Sequence, residues 1–229
     1  DERRDISVDD LLRMQSGLAW DETYDLGTAI TRMLYLDGDM AASAAAQPLE
    51  HAPGTFQQYS SGSTNIVCDR LLRTTRESAN LPRIQLFAPL GLTSAVWEPD
   101  ASGVPVCSSY LWATPRDWAA IGQFALDDGV VGGARLLPEG WMADSTTNTT
   151  AETREDENYG SGWWLNRRVD GDLEIPGLPE DAYWASGHDG QRVFVVPSEN
   201  LVIVRLGFSP GLDGALLADL ASAVVAATR

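Results

Sequence analysis

Two short segments of the chain concentrate groups able to donate, accept or relay protons. Pro53-Gly54-Thr55-Phe56-Gln57-Gln58-Tyr59-Ser60-Ser61-Gly62 delivers a phenol and two hydroxyls to the point where a turn runs into a helix. Ala185-Ser186-Gly187-His188-Asp189-Gly190-Gln191 sets a histidine between glycines at the end of a strand. Without side chains in the way, a ligand or another backbone can come close there. Each segment also has a plainer structural use. Ser61 or Ser63 can cap the helix while Tyr59 packs half-buried, and the histidine segment can be a β-bulge or an exposed turn. A phenol titrates near ~10, so Tyr59 acts as a base at neutral pH only beside a cation that stabilises its phenolate. The chain has no lysine: all 16 basic residues are arginine.

Other chemistries find little support. The two histidines, His51 and His188, are far apart and have no carboxylates at metal-ligand spacing, so no metal is expected. There is no G-x-S-x-G elbow, H-E-x-x-H, P-loop or G-x-G-x-x-G, and no cofactor is implied. Asp37-Gly38-Asp39 and Asp170-Gly171-Asp172 read as turns rather than calcium ligands. A nucleophile at Ser61 or Cys68 served by a histidine is disfavoured, because His51 reaches Ser61 only across a Pro-Gly bend. Cys68 and Cys107 make neither a disulfide framework nor a zinc site, and each, beside apolar or small residues, is expected to be an inert thiol. The formal net charge of −17 repels phosphates and anionic headgroups, so neither nucleic acid nor a membrane surface is expected as a partner. No apolar run approaches the ~20 residues that span a bilayer.

The elements that must position these groups are legible in outline. Ser7 with Asp10 is a capping-box pattern that predicts a short helix through Met14, stopped by Gly17. A second helix is expected over 65–76. Thr114-Pro115-Arg116-Asp117 opens a third, with Trp118, Ile121 and Ala125 on one face. Residues 162–166, 181–186, 192–196 and 201–206 read as short strands, the last two an antiparallel hairpin across Pro197-Ser198-Glu199-Asn200. Leu212, Leu216, Leu220 and Val224 mark the apolar face of a final helix packed on that sheet. Helices followed by antiparallel strands and a helix give an α+β class, with a mostly helical region 1–158 and a strand-rich region 159–229 as parts of one domain. Asn148-Thr149-Thr150 matches the glycosylation sequon.

In this order and with these flanks the segments resemble the β-lactamase-related serine hydrolases, above all the 6-aminohexanoate-dimer hydrolase and β-lactamase-like esterase branch. ISVDDLLRMQSGLAWDE (6–22) is similar to that family's HLL-x-M-x-SGL-x-WDE stretch. Residues 53–61 resemble its tyrosine motif. Ser108-Ser109-Tyr110 through Trp141, including RDWAAIGQFALDDGVVGGARLLPEGW, resembles its middle segment, and YGSGWWLN (159–166) with GHDGQ (187–191) completes the match.

The resemblance implies a β-lactamase/DD-peptidase-like fold and three elements around one cleft. A Ser-x-x-Lys supplies the nucleophile and its activating lysine, a tyrosine motif relays the proton, and a Lys-Thr-Gly or His-x-Gly motif lines the site. The second element maps onto Tyr59, with Ser61 where relatives carry Asn. The third maps onto Gly187, His188, Gly190 and Gln191. Trp20, Tyr24 and Trp112 are candidate pocket walls. With no lysine, the first element lies outside these 229 residues. It is expected upstream of the 6–22 stretch, together with strands that complete the sheet, as part of a longer chain or as a separate one. The sheet here should then present an unpaired edge or a partner filling it. The implied activity is hydrolysis of a small-molecule ester or linear amide. The alternatives are a β-lactam hydrolase or DD-peptidase, or a non-catalytic binding or assembly fragment.

Overall fold

The computed structural model describes residues 1–75, 80–149, 151–153, 158–212 and 214–229. They form two compact units: the described residues of Asp1–Ala88, Ala95–Trp112 and Thr150–Glu157, and those of Pro89–Ser94, Ala113–Thr149 and Asn158–Arg229. Helices with short two-residue strands between them precede one larger antiparallel sheet and a closing helix, an α+β architecture.

In the first unit, α1 (Val8–Leu12) opens on the expected capping box: Asp10 N–H donates to Ser7 Oγ at 3.0 Å, and Ser7 N–H donates to the Asp10 carboxylate at 2.8 Å. The helix stops short of Met14, which takes a left-handed φ of 60°. At Gly17 two segments cross so closely that a Cβ would lie 2.1 Å from the His51 carbonyl oxygen, and the amides of Glu50 and His51 both donate to Gly17 O. Helices α2 (Ala29–Tyr35), α3 (Met40–Ala45) and α4 (Ser61–Thr75) surround a core of Trp20, Ile30, Met33, Leu34, Met40, Ala44 and Val106. Gly62 allows the α4 backbone to meet that core, since a Cβ there would fall 2.6 Å from the Trp20 ring and 2.8 Å from Ala44. Within the small-residue stretch at 41–46, Ala41 and Ala44 are the buried residues, and Ala44 meets α4 at Gly62.

Helix α4 begins four residues earlier than expected. Its cap is neither Ser61 nor Ser63 but Ser60, whose Oγ accepts from Ser63 N–H at 3.1 Å; Arg76 lies outside the described residues. A second expectation is overturned outright. Cys68 and Cys107 are not inert thiols but a disulfide, with Cα atoms 6.2 Å apart across 39 residues of sequence. Nothing local to either cysteine reveals the pairing, because it depends on the 104–110 loop folding back onto α4.

In the second unit, α5 (Pro115–Leu126) starts as predicted, with Thr114 Oγ accepting from Asp117 N–H and Pro115 in the first turn. The Asp117 carboxylate also accepts from Ser94 N–H and Ser94 Oγ, at 2.9 and 2.6 Å. Strands β1 (Trp164–Leu165), β2 (Tyr183–Gly187), β3 (Gln191–Val196) and β4 (Leu201–Arg205) form an antiparallel sheet in the order β4-β3-β2-β1. The β3-β4 hairpin turns through a 3-10 segment at Pro197–Glu199 and a left-handed Asn200. Both faces of β3 are covered. Val195 joins Ala125, Met142, Leu165 and Tyr183 on one side; Phe194 and Val196 join Trp184, Ala221 and Val225 on the other. This accounts for the continuous apolar run at 193–196. Strand β4 stands at one edge. At the other edge β1 covers only Tyr183 and Trp184 of β2 and bridges Tyr159 on its outer side, so Ala185–Gly187 has no ladder neighbour there among the described residues.

The closing helix, α6 (Gly214–Thr228), buries a different stripe from the one expected. Leu217, Ala221 and Val225 face the sheet, while Leu216 and Leu220 are 58% and 45% exposed. Alanine, leucine and valine occur all round this helix, so periodicity alone does not choose a face. Close approach to the sheet favours the stripe centred on Ala221. Leu217→Ala should therefore cost about 2–4 kcal/mol in urea unfolding and Leu216→Ala less than about 0.5 kcal/mol. Equal effects would mean that the helix is rotated as the leucine spacing suggests. The sequon side chain Asn148 donates to Arg167 O at 2.8 Å, and Thr149 is buried.

Candidate active-site elements

The tyrosine segment leaves a short parallel pairing, Phe56–Gln57 with Glu152–Thr153, and enters α4. Two glutamines lock it in place. Gln57, fully buried, donates to Arg13 O at 3.0 Å, and Gln58 donates to Trp20 O through its side chain and to Met14 O through its amide. Met14 holds its carbonyl there at the cost of a left-handed backbone, a strain of about 1–2 kcal/mol of the sort that gathers at functional sites. Tyr59, half-buried, is fixed between Gln58 and the capping Ser60.

One residue organises the surroundings and was not among the residues singled out from sequence: Glu22. Its carboxylate accepts from Ser61 Oγ at 2.6 Å, from Ser61 N–H at 3.0 Å and from the Trp20 indole N–H at 2.5 Å. Burial pushes the Glu22 carboxyl above its usual range, and the bonds from Ser61 and Trp20 oppose this in part. Glu22 ends the WDE stretch, but an acid after an aromatic carries no signal of a partner 39 positions away.

The structure gathers Ser61, Trp20 and Tyr24 around Glu22, with Tyr59 two positions before Ser61 and near enough to Tyr24 for its charge to act there. Tyr24, 41% exposed, has its phenol pushed up by its surroundings and then by the charges of Glu22 and Tyr59, so it stays protonated and can donate. Ser61 is buried with its hydroxyl and amide both engaged by Glu22, which makes it a support for the Tyr59 segment. Trp20 is core, only 6% exposed. Trp112 is 59% exposed and donates to Glu98 at 2.6 Å. Asn65 ties α4 to the disulfide loop, accepting from Cys107 N–H at 3.0 Å and donating to Ser108 Oγ at 3.0 Å and Ser61 O at 3.1 Å. A hollow of about 390 Å³ in this unit is lined by His51, Thr55, Phe56 and Glu152, away from Tyr59.

In the second unit His188-Asp189-Gly190 is the turn that joins β2 to β3, with Gly187 opposite Gln191 in the ladder. Asp189 and Gly190 both take left-handed φ, 56° and 87°. The His188 side chain is 57% exposed, and its Nε2 lies 3.6 Å from Asp189 Oδ1. Arg205 donates to the carbonyls of Gly190 and Gly207 at 3.0 and 3.1 Å, and Ser209 N–H donates to Asp189 O. The φ of 87° at position 190, which residues with a side chain rarely adopt, explains the glycine, and a Cβ there would also press on Arg205 Nη1 at 2.8 Å. Gln191 is committed to the backbone of Gly207, donating to its carbonyl and accepting from its amide. It braces the turn.

A family model described as Beta-lactamase matches residues 1–225. The chain belongs to the beta-lactamase family. Among its relatives is the 6-aminohexanoate-dimer hydrolase of Paenarthrobacter ureafaciens, 26% identical over 142 residues, which is 55% of this chain and 34% of that protein. The fold of this beta-lactamase family chain is similar to that of a candidate 6-aminohexanoate-dimer hydrolase from Bacillus anthracis, with a TM-score of 0.77, 19% identity, and coverage of 97% of this chain and 61% of that one. It is also similar to a family VIII carboxylesterase (TM-score 0.71, 18% identity, 97% and 72% covered). A third likeness is to a beta-lactamase/D-alanine carboxypeptidase from Yersinia pestis (TM-score 0.70, 17% identity, 97% and 70% covered). This member of the beta-lactamase family thus spans about a third of its curated relative and 61% of the Bacillus structure.

Proposed function

We propose that this chain carries the tyrosine and histidine elements of a serine hydrolase that cleaves small esters or linear amides through an acyl-enzyme. The supporting observation is Tyr59, held from both sides by buried amide and carboxylate contacts, in a chain matched to the family from residue 1 to 225. The nucleophilic serine and its lysine come from residues outside these 229. Serine Oγ attacks the carbonyl carbon, Tyr59 passes the proton to the leaving oxygen or nitrogen, and water then cleaves the acyl ester. Tyr24, kept neutral, donates a hydrogen bond to the substrate. The resemblance of the histidine motif assigns His188, Gly190 and Gln191 to substrate and oxyanion binding, through backbone N–H groups, alongside the amide of the nucleophile's own residue. Ser61 and Gln191 act through the segments they brace. The linear-amide preference rests on likeness to the 6-aminohexanoate-dimer hydrolase and on Ser61 and His188 at the two motif positions.

Intact mass after a fluorophosphonate probe tests this. The 229-residue chain should gain no adduct, while a longer protein joining it to a Ser-x-x-Lys segment should gain one. In that longer protein Tyr59→Phe should lower kcat by about 10²–10⁴-fold with little change in KM. Rapid turnover of a chromogenic cephalosporin by it would favour the β-lactam reading. A stoichiometric adduct on the 229-residue chain would replace the mechanism with one that uses a serine already present.

A further inference from the structure

Across three strands of the sheet, Ser186, Arg192 and Arg205 stand in one row: Ser186 is opposite Arg192 in the β2-β3 ladder, and Arg192 is opposite Arg205 in the β3-β4 ladder. Residues directly opposite each other project from the same face. Here it is the face of Phe194 and Val196, two and four positions along β3 from Arg192. Like charges directly opposite on neighbouring strands are destabilising. A chain with 33 acids for 16 arginines has ample means to neutralise such a pair, yet no described carboxylate oxygen lies within 4.0 Å of either guanidinium. The nearest acid along the chain, Asp189, directs its carboxylate to His188.

Both arginines are nonetheless held in place. Arg192 Nη1 donates to Gln191 O at 2.8 Å and Gly187 O at 3.3 Å. Arg205 Nη1 donates to Gly190 O at 3.0 Å and its Nη2 to Ser209 Oγ at 2.5 Å. The Nε and Nη2 donors of Arg192 and the Nε donor of Arg205 have no acceptor among the described residues. Burial, and after it the Arg205 charge, lowers the pKa of Arg192, the signature of a cation short of counter-charge. Two anchored guanidiniums with spare donors and an exposed hydroxyl, on strands about 4.8 Å apart, match the size and fork geometry of a compact oxyanion.

We propose that Ser186, Arg192 and Arg205 form a binding site for a small oxyanion, with a carboxylate as its natural ligand. The site does not depend on the hydrolase reading, because it needs neither Tyr59 nor a nucleophile. Acetate, succinate and inorganic phosphate, each at matched ionic strength against sodium chloride, should be titrated into the ¹⁵N-labelled 229-residue chain while the arginine Nε–H signals are followed. Saturating shifts of Arg192 and Arg205 are expected with acetate and succinate. Tighter binding of phosphate would keep the oxyanion site but replace carboxylate as its ligand. Arg192→Gln should weaken binding about tenfold or more, and Ser186→Ala less. Arg192→Lys, which keeps the charge but loses the fork, should fall between Arg192→Gln and the unaltered chain. Arg116→Gln removes the same charge from the exposed start of α5 and should change nothing. Shifts that grow linearly, that chloride reproduces, or that survive Arg192→Gln in a folded chain would overturn the site.

Discussion

Replacing Cys68 and Cys107 together by serine should lower the stability of the tyrosine-bearing unit by about 4 kcal/mol, as expected for a closed loop of this length. The bridge ties α4 to the 104–110 loop across 39 residues of sequence. In the reduced, unfolded chain those residues recover their conformational freedom. Asn65 bonds to Cys107 and Ser108 on one side and to Ser61 on the other, so loosening the loop should be felt at the start of α4 beside Tyr59. Urea unfolding with and without a thiol reductant is the measurement. The unaltered chain in reductant should converge on the double variant, and both should fall well below the oxidised chain. A loss under about 1 kcal/mol would mean that the cysteines are not paired in solution.

The second large effect is expected at Glu22. Glu22→Ala leaves the Trp20 indole N–H and the Ser61 amide and hydroxyl without their acceptor, at about 3–5 kcal/mol in total. Glu22→Gln should cost about 1 kcal/mol or less. Its carbonyl can accept from Trp20 and from the Ser61 amide, while its NH₂ donates to a reoriented Ser61 hydroxyl. The pair of variants separates loss of the hydrogen-bonding frame from loss of the charge. The charge has its own signature in pH. Because burial raises the Glu22 carboxyl above its ordinary value, the folded chain binds this proton more tightly than the unfolded chain does. Its contribution to stability is then fully present below the unfolded carboxyl value of ~4.5 and is lost as pH rises through the higher folded value. Carboxylates held below their usual range, such as the partly exposed Asp128 with its bonds from the Met142 and Gly140 amides, have the opposite slope. The informative quantity is therefore the difference in urea midpoint between the unaltered chain and Glu22→Gln from pH 4 to 7. It should move steadily in favour of the glutamine variant. A pH-independent difference would show that Glu22 is not strained by its burial.

What was legible from sequence was local. Ser7 with Asp10 and Thr114 with Pro115 and Asp117 announce helix starts because each cap is closed within three or four residues. The 191–205 hairpin announces itself through Pro197 to Asn200, where the chain must reverse. The tyrosine and histidine segments could be picked out because a phenol, hydroxyls and glycines cluster there. Their roles within those segments could not be assigned. Ser61 and Gln191 turned out to be braces, and Trp20 part of the core.

The remainder was decided by tertiary structure. Glu22 and Ser61 are 39 positions apart, as are Cys68 and Cys107, and each pairing exists only because α4 is folded against the segments that precede and follow it. The row of Ser186, Arg192 and Arg205 depends on the register of two ladders, which no single strand encodes. Helix α6 is apolar on most of its circumference, so its sequence specified a helix but not its rotation. The rotation was selected by the close fit of Ala221 and its neighbours against the sheet, where contact at short range outweighs the number of leucines on a face. Capping and turn signals are complete within a few residues and can be read in one dimension. Hydrogen bonds, disulfides and packing faces that join distant residues require the chain to have closed its loops first.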